Sequence, residues 1–328
     1  MNNYQINWSD IVFGSKKPLR DLNAIFIPAP REMSAKRFTQ IIKQYLPSGN
    51  IVIGCNDEVY VDGFDGQPQF KLLQIETISD VISKVNKSNS PHKIIVFHYR
   101  QSDILNIYEK VKFKRILLVN GSWQYSFHLR PEYNALVSKN IPFEFISPFV
   151  DENEAIAYAA KFQSVMPLKT NPVNELDVLL LAGDFAKQSF ANEQQTGVVI
   201  AEKVGGKYRP LVAAYNKTEP YLTFAWHFGA LRERHLSPPG DLNYYDTVHA
   251  EIMLLIQSQK LGLKLTNTSL FINLLPCPTC ARMLCETDID EVVYSLDHSE
   301  GYAVALLEKA GKKVRRLIDS DKILKTEG

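Results

Sequence analysis

Two α/β domains in series are the architecture this chain points to, and three observations carry that reading. The chain has 328 residues, too many for one ordinary domain and suited to two. As far as about residue 165, short apolar runs alternate with amphipathic segments, the pattern of a parallel sheet covered on both faces. The stretch 162–174, with Pro167 and Pro172, then separates this half from a second alternating stretch. The expected domains are 1–165 and 175–328.

Taken in order, Asn23-Ala-Ile-Phe-Ile-Pro28 reads as a strand, and Ser34 to Tyr45 as an amphipathic helix capped by Ser34. Asn50-Ile-Val-Ile-Gly54 is a second strand. Glu58 to Gly63 and Gln67 to Leu72 are expected to form a hairpin across Phe-Asp-Gly. Ile78 to Val85 reads as helical with Thr77 as cap, Lys93 to Phe97 as a strand, and Ser102 to Val111 as a helix capped by Ser102 or Asp103. Arg115 to Val119 and Pro142 to Ile146 add two strands. Together these predict a Rossmann-like α/β sandwich. It carries no G-x-x-x-x-G-K-[ST] loop and no G-x-G-x-x-G after a strand. Asn120-Gly-Ser-Trp-Gln-Tyr125 follows a strand's carboxyl end, where open α/β sheets bind ligands, and Trp123, His128 and Arg130 are candidates to line a pocket there. A packed loop is the simpler account of all three, and the role of this half stays open between regulation, substrate presentation and assembly.

Composition describes an ordinary globular chain, 45% hydrophobic and 22% charged. A net charge of +1 gives no global electrostatic case for nucleic acid, although a local patch is compatible with it. Four cysteines make no disulfide framework and suggest a reducing, cytoplasmic setting. The opening Met1-Asn-Asn-Tyr-Gln-Ile lacks the basic start and apolar core of a signal peptide, and no apolar run approaches a membrane span.

The chemistry is concentrated in the second half. His249-Ala-Glu251 is followed, 28 positions after the histidine, by the first cysteine of Cys277-Pro-Thr-Cys280. Catalytic zinc takes three protein ligands in a tetrahedron and leaves the fourth position to water. His249, Cys277 and Cys280 supply such a set. With two thiolates the centre is close to neutral, so a neighbouring base should help, and Glu251 is placed to act as one. Two residues apart on one helical turn, His249 and Glu251 cannot both point at the metal. A lone C-x-x-C also occurs in redox pairs and structural zinc sites. There is no second C-x-x-C here, and neither alternative calls for an upstream His-x-Glu. Apolar residues from Glu251 to Ile256 predict a helix from Thr247 or Val248 to Gly262, with Asp246 or Thr247 as cap. Ser269 to Leu274 reads as a strand. Pro278 between the cysteines suits the first turn of a helix, whose dipole favours thiolates. Cys55 and Cys285 read as ordinary thiols.

H-x-E followed by P-C-x-x-C is the signature of zinc nucleobase deaminases. From about Leu176 to Ile318 the chain resembles the cytidine and deoxycytidylate (dCMP) deaminase superfamily, and dCMP deaminases in particular. Leu179 to Ser189 resembles that family's first helix, Thr196 to Ala201 its first strand, and Val212 to Asn216 its second. Glu291 to Ser295, Tyr302 to Gly311 and Lys313 to Leu317 resemble its tail. The resemblance implies a cytidine-deaminase-like α/β/α sandwich, a Zn2+ cofactor, a small nucleotide substrate and assembly as a homo-oligomer. It also implies that Asn216 bonds the sugar hydroxyl and that Ala250 offers its backbone N–H to the base carbonyl. Many relatives have glutamate before Pro-Cys, where this chain has Leu275. Between Lys217 and Val248, Arg232 and Arg234 are candidates for a 5′-phosphate, among the aromatics Tyr221, Phe224, Trp226, Tyr244 and Tyr245. The expected reaction is hydrolysis of a dCMP-like nucleotide to the uracil product and ammonia. Two alternatives are deamination of a base within RNA or single-stranded DNA, and a zinc-containing sensing protein without turnover.

Overall fold

The computed structural model describes residues 6–122, 130–162, 168, 170–191, 194–218, 223–229, 247–298 and 300–318. The chain divides into two compact units: 1–161 together with 223–236, and 162–222 together with 237–328.

The first unit is built on five parallel strands: β1 (Ala24–Ile27), β2 (Asn50–Cys55), β3 (Ile94–His98), β4 (Arg115–Val119) and β5 (Phe143–Ile146). Their order is β3-β2-β1-β4-β5. Helix α1 (Ala35–Tyr45) begins where Ser34 Oγ accepts the Arg37 N–H, as its sequence predicts, and α2 spans Ser79–Lys87. Both pack on one face through Phe38, Ile41, Ile42 and Tyr45 with Val81, Ile82 and Val85. Helices α3 (Ile104–Lys110) and α4 (Pro131–Ser138) cover the other face through Ile104, Ile107, Tyr108 and Leu136. Helix α5 (Glu152–Ala159) follows β5 and is capped by Asp151. The central strands read Ala-Ile-Phe-Ile and Arg-Ile-Leu-Leu-Val because both faces are buried and no polar alternation is tolerated. This is the expected Rossmann-like sandwich.

Local expectations fail here at three points. No hairpin of two strands forms over 58–72. A single antiparallel bridge joins Tyr60 to Lys71, and Pro68–Phe70 winds into a 3-10 turn that packs Phe70 against Phe64, with ring centres 4.0 Å apart and planes tilted by 32°. Pro68 has no N–H to extend a ladder, and burying two phenyl rings outweighs pairing. Thr77 does not cap α2; it ends a 3-10 turn, Ile75–Thr77, and Ile78 occupies the cap position. Gln101–Asp103 form a further 3-10 turn before α3, without a side-chain cap from Ser102 or Asp103.

In the second unit, α6 (Glu175–Ala186) starts at Asn174, whose side chain accepts the Asp177 N–H. Strands β6 (Gly197–Val204) and β7 (Lys207–Tyr215) form an antiparallel pair, followed by β8 (Lys217–Thr218). Helix α7 (Phe224–Phe228) belongs to the first unit; the chain then returns at β9 (Thr247–Val248). Helix α8 (Ala250–Lys260), β10 (Thr268–Leu274), α9 (Pro278–Cys285), β11 (Glu291–Leu296), α10 (Tyr302–Lys309) and β12 (Lys313–Arg316) complete it. The sheet order is β12-β11-β10-β6-β7, with β10, β11 and β12 parallel and β6 antiparallel to β10. Helix α6 covers one face, against Val199, Ala201, Phe271 and Val293. Helices α8, α9 and α10 cover the other through Leu254, Ala281, Leu284, Ala303 and Leu307. The result is an α/β/α sandwich, as the resemblance implies.

Gly197 opens β6 beneath α6, and a Cβ there would lie 2.0 Å from the Ala182 carbonyl and 2.4 Å from the Ala186 nitrogen. Both obstacles are backbone, so relief requires moving the helix. Gly197→Ala is expected to cost about 3 kcal/mol of stability, measured by urea unfolding followed by circular dichroism.

Candidate active site

Two helix starts build the site. His249 is the N-cap of α8, in extended conformation (φ −62°, ψ 152°), so its ring leaves the helix at the end where N–H groups are unpaired. The expected helix start at Thr247 or Val248 is wrong. Those two β-branched residues instead pair with Thr218 and Lys217 in a two-strand ribbon, β8–β9, and the helix begins at Ala250. Asp246, the other expected cap, lies outside the described residues. Cys277 is the N-cap of α9, Pro278 takes the first helical position, and Cys277 Sγ accepts the Cys280 N–H at 3.4 Å.

His249 Nδ1 stands 3.5 Å from Cys277 Sγ and 3.4 Å from Cys280 Sγ, and the three ligand atoms lie within 4.8 Å of one another. A tetrahedral zinc with ordinary bond lengths separates nitrogen from sulfur by roughly 3.5 Å. The donor set therefore fits Zn2+ in chemistry and in spacing. Hydrogen bonds from Cys280 and His249 draw the Cys277 thiol down, while donating to Cys277 and burial push the Cys280 thiol up. The first proton of the pair leaves readily, as metal uptake requires.

Glu251, on the first turn of α8, is buried at 3% exposure. Burial pushes its carboxyl up to about 7, and hydrogen bonds from its own N–H and from Cys280 only partly offset this. A carboxyl group with that affinity both accepts and returns a proton near neutral pH. Ala250 is fully buried, and as the first helical residue it has no intrahelical partner for its N–H.

Asn216 follows β7 and is 7% exposed. Its Oδ1 accepts the Thr196 N–H at 2.9 Å and its Nδ2 donates to the Gln194 carbonyl at 3.0 Å. One amide hydrogen is left for anything else. Immediately beyond the ribbon, Asn216 stands on one strand and His249 on the other. Leu275 turns its side chain into the core at 1% exposure while its N–H bonds to the Leu296 carbonyl at 2.7 Å, so an apolar residue holds the strand-to-helix turn. Arg232 and Arg234 lie outside the described residues, as do Trp123, His128, Tyr221, Tyr244 and Tyr245. In the first unit, Arg130 lines a cleft of about 190 Å³ with Asp62, Gln101, Ser102 and Glu132. The ribbon was not legible in the sequence, because two-residue strands leave no periodicity to read.

Residues 175–296 match the cytidine and deoxycytidylate deaminase zinc-binding region. The matched stretch contains His249, Glu251, Cys277 and Cys280, and so supports a deaminase of the zinc type in the second half of the chain. No curated protein matches. Among solved structures, the chain is similar to a dCMP deaminase from the cyanophage S-TIM5 in apo form, at 18% identity over 43% of this chain and 95% of that chain, with a TM-score of 0.32. The same enzyme in complex with dCMP and dUMP matches at 20% identity over 44% and 96%, with a TM-score of 0.36. A diaminohydroxyphosphoribosylaminopyrimidine deaminase/reductase from Thermotoga maritima matches at 20% identity over 45% and 38%, with a TM-score of 0.32. Among the described residues, no helix is long and apolar enough to cross a membrane.

Between pH 4.5 and about 7 the folded, metal-free protein keeps a proton on Glu251 that the unfolded chain has released. Stability should therefore fall as pH rises through that window. Glu251→Gln, which has no proton to lose, is expected to exceed the parent by about 3 kcal/mol near pH 8 and to match it near pH 4. Urea unfolding of chelator-treated protein measures both.

Proposed function

We propose that the protein hydrolytically deaminates the cytosine ring of a free, dCMP-like nucleotide, giving the uracil nucleotide and ammonia. The observation that carries this reading is a His/Cys/Cys donor set with a buried, unligated carboxyl on the next residue but one. His249, Cys277 and Cys280 would hold Zn2+, which supplies Lewis acidity toward a water molecule. Glu251, ionised, takes one proton from the attacking water as its oxygen bonds to the ring carbon bearing the amine. It delivers that proton to the adjacent ring nitrogen. Glu251 then takes the second proton, from the new hydroxyl, and passes it to the amine as the carbon–nitrogen bond breaks. The Ala250 N–H, free of helical bonding, offers a hydrogen bond to the base carbonyl. Asn216 offers its remaining amide hydrogen to the sugar hydroxyl, and Arg232 and Arg234 supply charge for the 5′-phosphate. Net charge close to zero favours a free nucleotide over a polynucleotide. Assembly of copies and a cytoplasmic setting accompany this proposal.

Zinc-loaded protein is expected to release ammonia from dCMP in preference to CMP, cytidine, dCTP or a cytosine-containing single strand. Release from the strand alone would favour the polynucleotide reading; release from none, with zinc at full occupancy, would reject the enzyme reading. Glu251→Gln should retain zinc and lose about 10³-fold in kcat. Cys277→Ser should lose most bound zinc, read by metal analysis; full occupancy would overturn the ligand assignment.

A further inference from the structure

The order β3-β2-β1-β4-β5 reverses direction between β1 and β4, and the carboxyl ends of strands at such a switch point are where open α/β sheets take ligands. Arg31 stands there, three residues beyond Pro28, and is 0% exposed. Its backbone is held on both sides: its N–H donates to Ser122 Oγ at 3.0 Å, and it bridges Leu72. The guanidinium lies 5.3 Å from the Phe149 ring centre and 5.6 Å from that of Trp226. Nη1 donates to the Trp226 carbonyl. Nε and Nη2 are buried and have no hydrogen-bond partner among the described residues.

Those two atoms are not an arbitrary pair. With Nη1 committed, Nε and Nη2 form the side-on edge of the guanidinium, whose parallel N–H groups match the two oxygens of a carboxylate or phosphate. Leaving both donors and their charge buried without an acceptor is costly, several-fold more so than for a neutral group. The carboxylate that acts on the guanidinium, Glu32, already accepts from the Tyr158 hydroxyl and pairs with Lys71. Gly121, after β4, makes room: a Cβ there would lie 2.7 Å from Arg31 Cδ and 2.9 Å from Nη1, and its φ of +81° suits glycine.

We propose that the first unit binds the oxyanion of a small ligand, phosphate or carboxylate, on the Nε–Nη2 edge of Arg31. Helix α7 covers this site. The Trp226 carbonyl holds Nη1, and Gly229 packs so closely that a Cβ would meet Gly121 Cα at 2.2 Å. Thr223 and His227 fasten the same segment to Glu152, and His227 bonds Ser147 at 2.9 Å. An anion reaches the fork only as α7 lifts, so binding and the position of α7 are coupled.

The test titrates zinc-loaded, full-length protein with inorganic phosphate, pyrophosphate and citrate by calorimetry, and follows hydrogen exchange of 223–229. Saturable binding at one site per chain, with raised exchange in that segment, is expected. Phosphate or pyrophosphate alone binding would assign a phosphoryl ligand, citrate alone a carboxylate. Arg31→Lys keeps the charge and loses the fork, and should weaken binding by roughly tenfold or more. Gly121→Ala, which displaces the guanidinium without removing it, should weaken binding as well, so misfolding of one variant leaves the other to decide. Absence of saturable binding, or equal affinity in parent and Arg31→Lys, overturns the proposal. So does a loss confined to an Arg232→Ala, Arg234→Ala double variant, which would move the anion to the nucleotide site.

Discussion

Everything in the second unit is arranged around the meeting of one imidazole and two sulfurs at the starts of two helices. Cysteines 277 and 280 are set by the turn from β10 into α9, and His249 by the turn from β9 into α8. The two turns come from stretches of chain that no local propensity would bring together. What joins them is the shared face of one sheet. Helix α8 packs there through Ala250 and Leu254, and α9 through Ala281 and Leu284, in a single apolar cluster with Val198, Ile200, Leu270 and Ile272. Helix ends are the suitable places for such ligands. Their unpaired N–H groups and positive dipole ends favour thiolate over thiol before any metal arrives.

The same placement explains the carboxyl group. Glu251 on the first turn of α8 is carried inward with the apolar face of the helix. A surface glutamate would be ionised throughout the neutral range and reluctant to carry a proton. Burial lifts its affinity to about 7, where taking and giving back a proton are nearly balanced. The desolvation that would count as a defect in a purely structural residue is what would suit this one to the proton transfer proposed for it. Leu275 fits the same economy: an apolar side chain in the core anchors the turn that presents Cys277.

How much of this was legible in the sequence follows from how local each determinant is. The five strands of the first unit were readable because each is a short apolar run, and Ser34 was readable because a cap acts within three residues. The metal-ligand set was readable because its spacing and residue types are fixed by coordination chemistry. Helix α4 escaped notice because it is only eight residues long, too short for the spacing of Tyr133, Leu136 and Val137 to establish a helical period. Thr247 and Val248 were misread as helix because their partners, Lys217 and Thr218, lie across the intervening insertion. Least legible of all was α7. Phe224 and Trp226 look in sequence like aromatics for a base, yet Trp226 is fully buried and bonded to Arg31, 195 positions away. Nothing in a window of a few residues reports a contact of that range.

That contact changes how the insertion between β8 and β9 should be understood. Surface loops tolerate insertions because few buried contacts depend on them, and binding residues are often found there. This one leaves the sheet through a hydrogen-bonded ribbon whose register pairs Lys217 with Val248, so Asn216 and His249 sit at the ribbon's foot. Thr223, five positions after Thr218, opens a segment fastened by Trp226 to Arg31, by Thr223 and His227 to Glu152, and by His227 to Ser147. Coupling between sites needs an element with two arrangements that both sites bias. Helix α7, held by a cation whose other donors await an acceptor, has the makings of one. On that view α7 and the Arg31 fork belong to one element of the first unit, which an anion would shift.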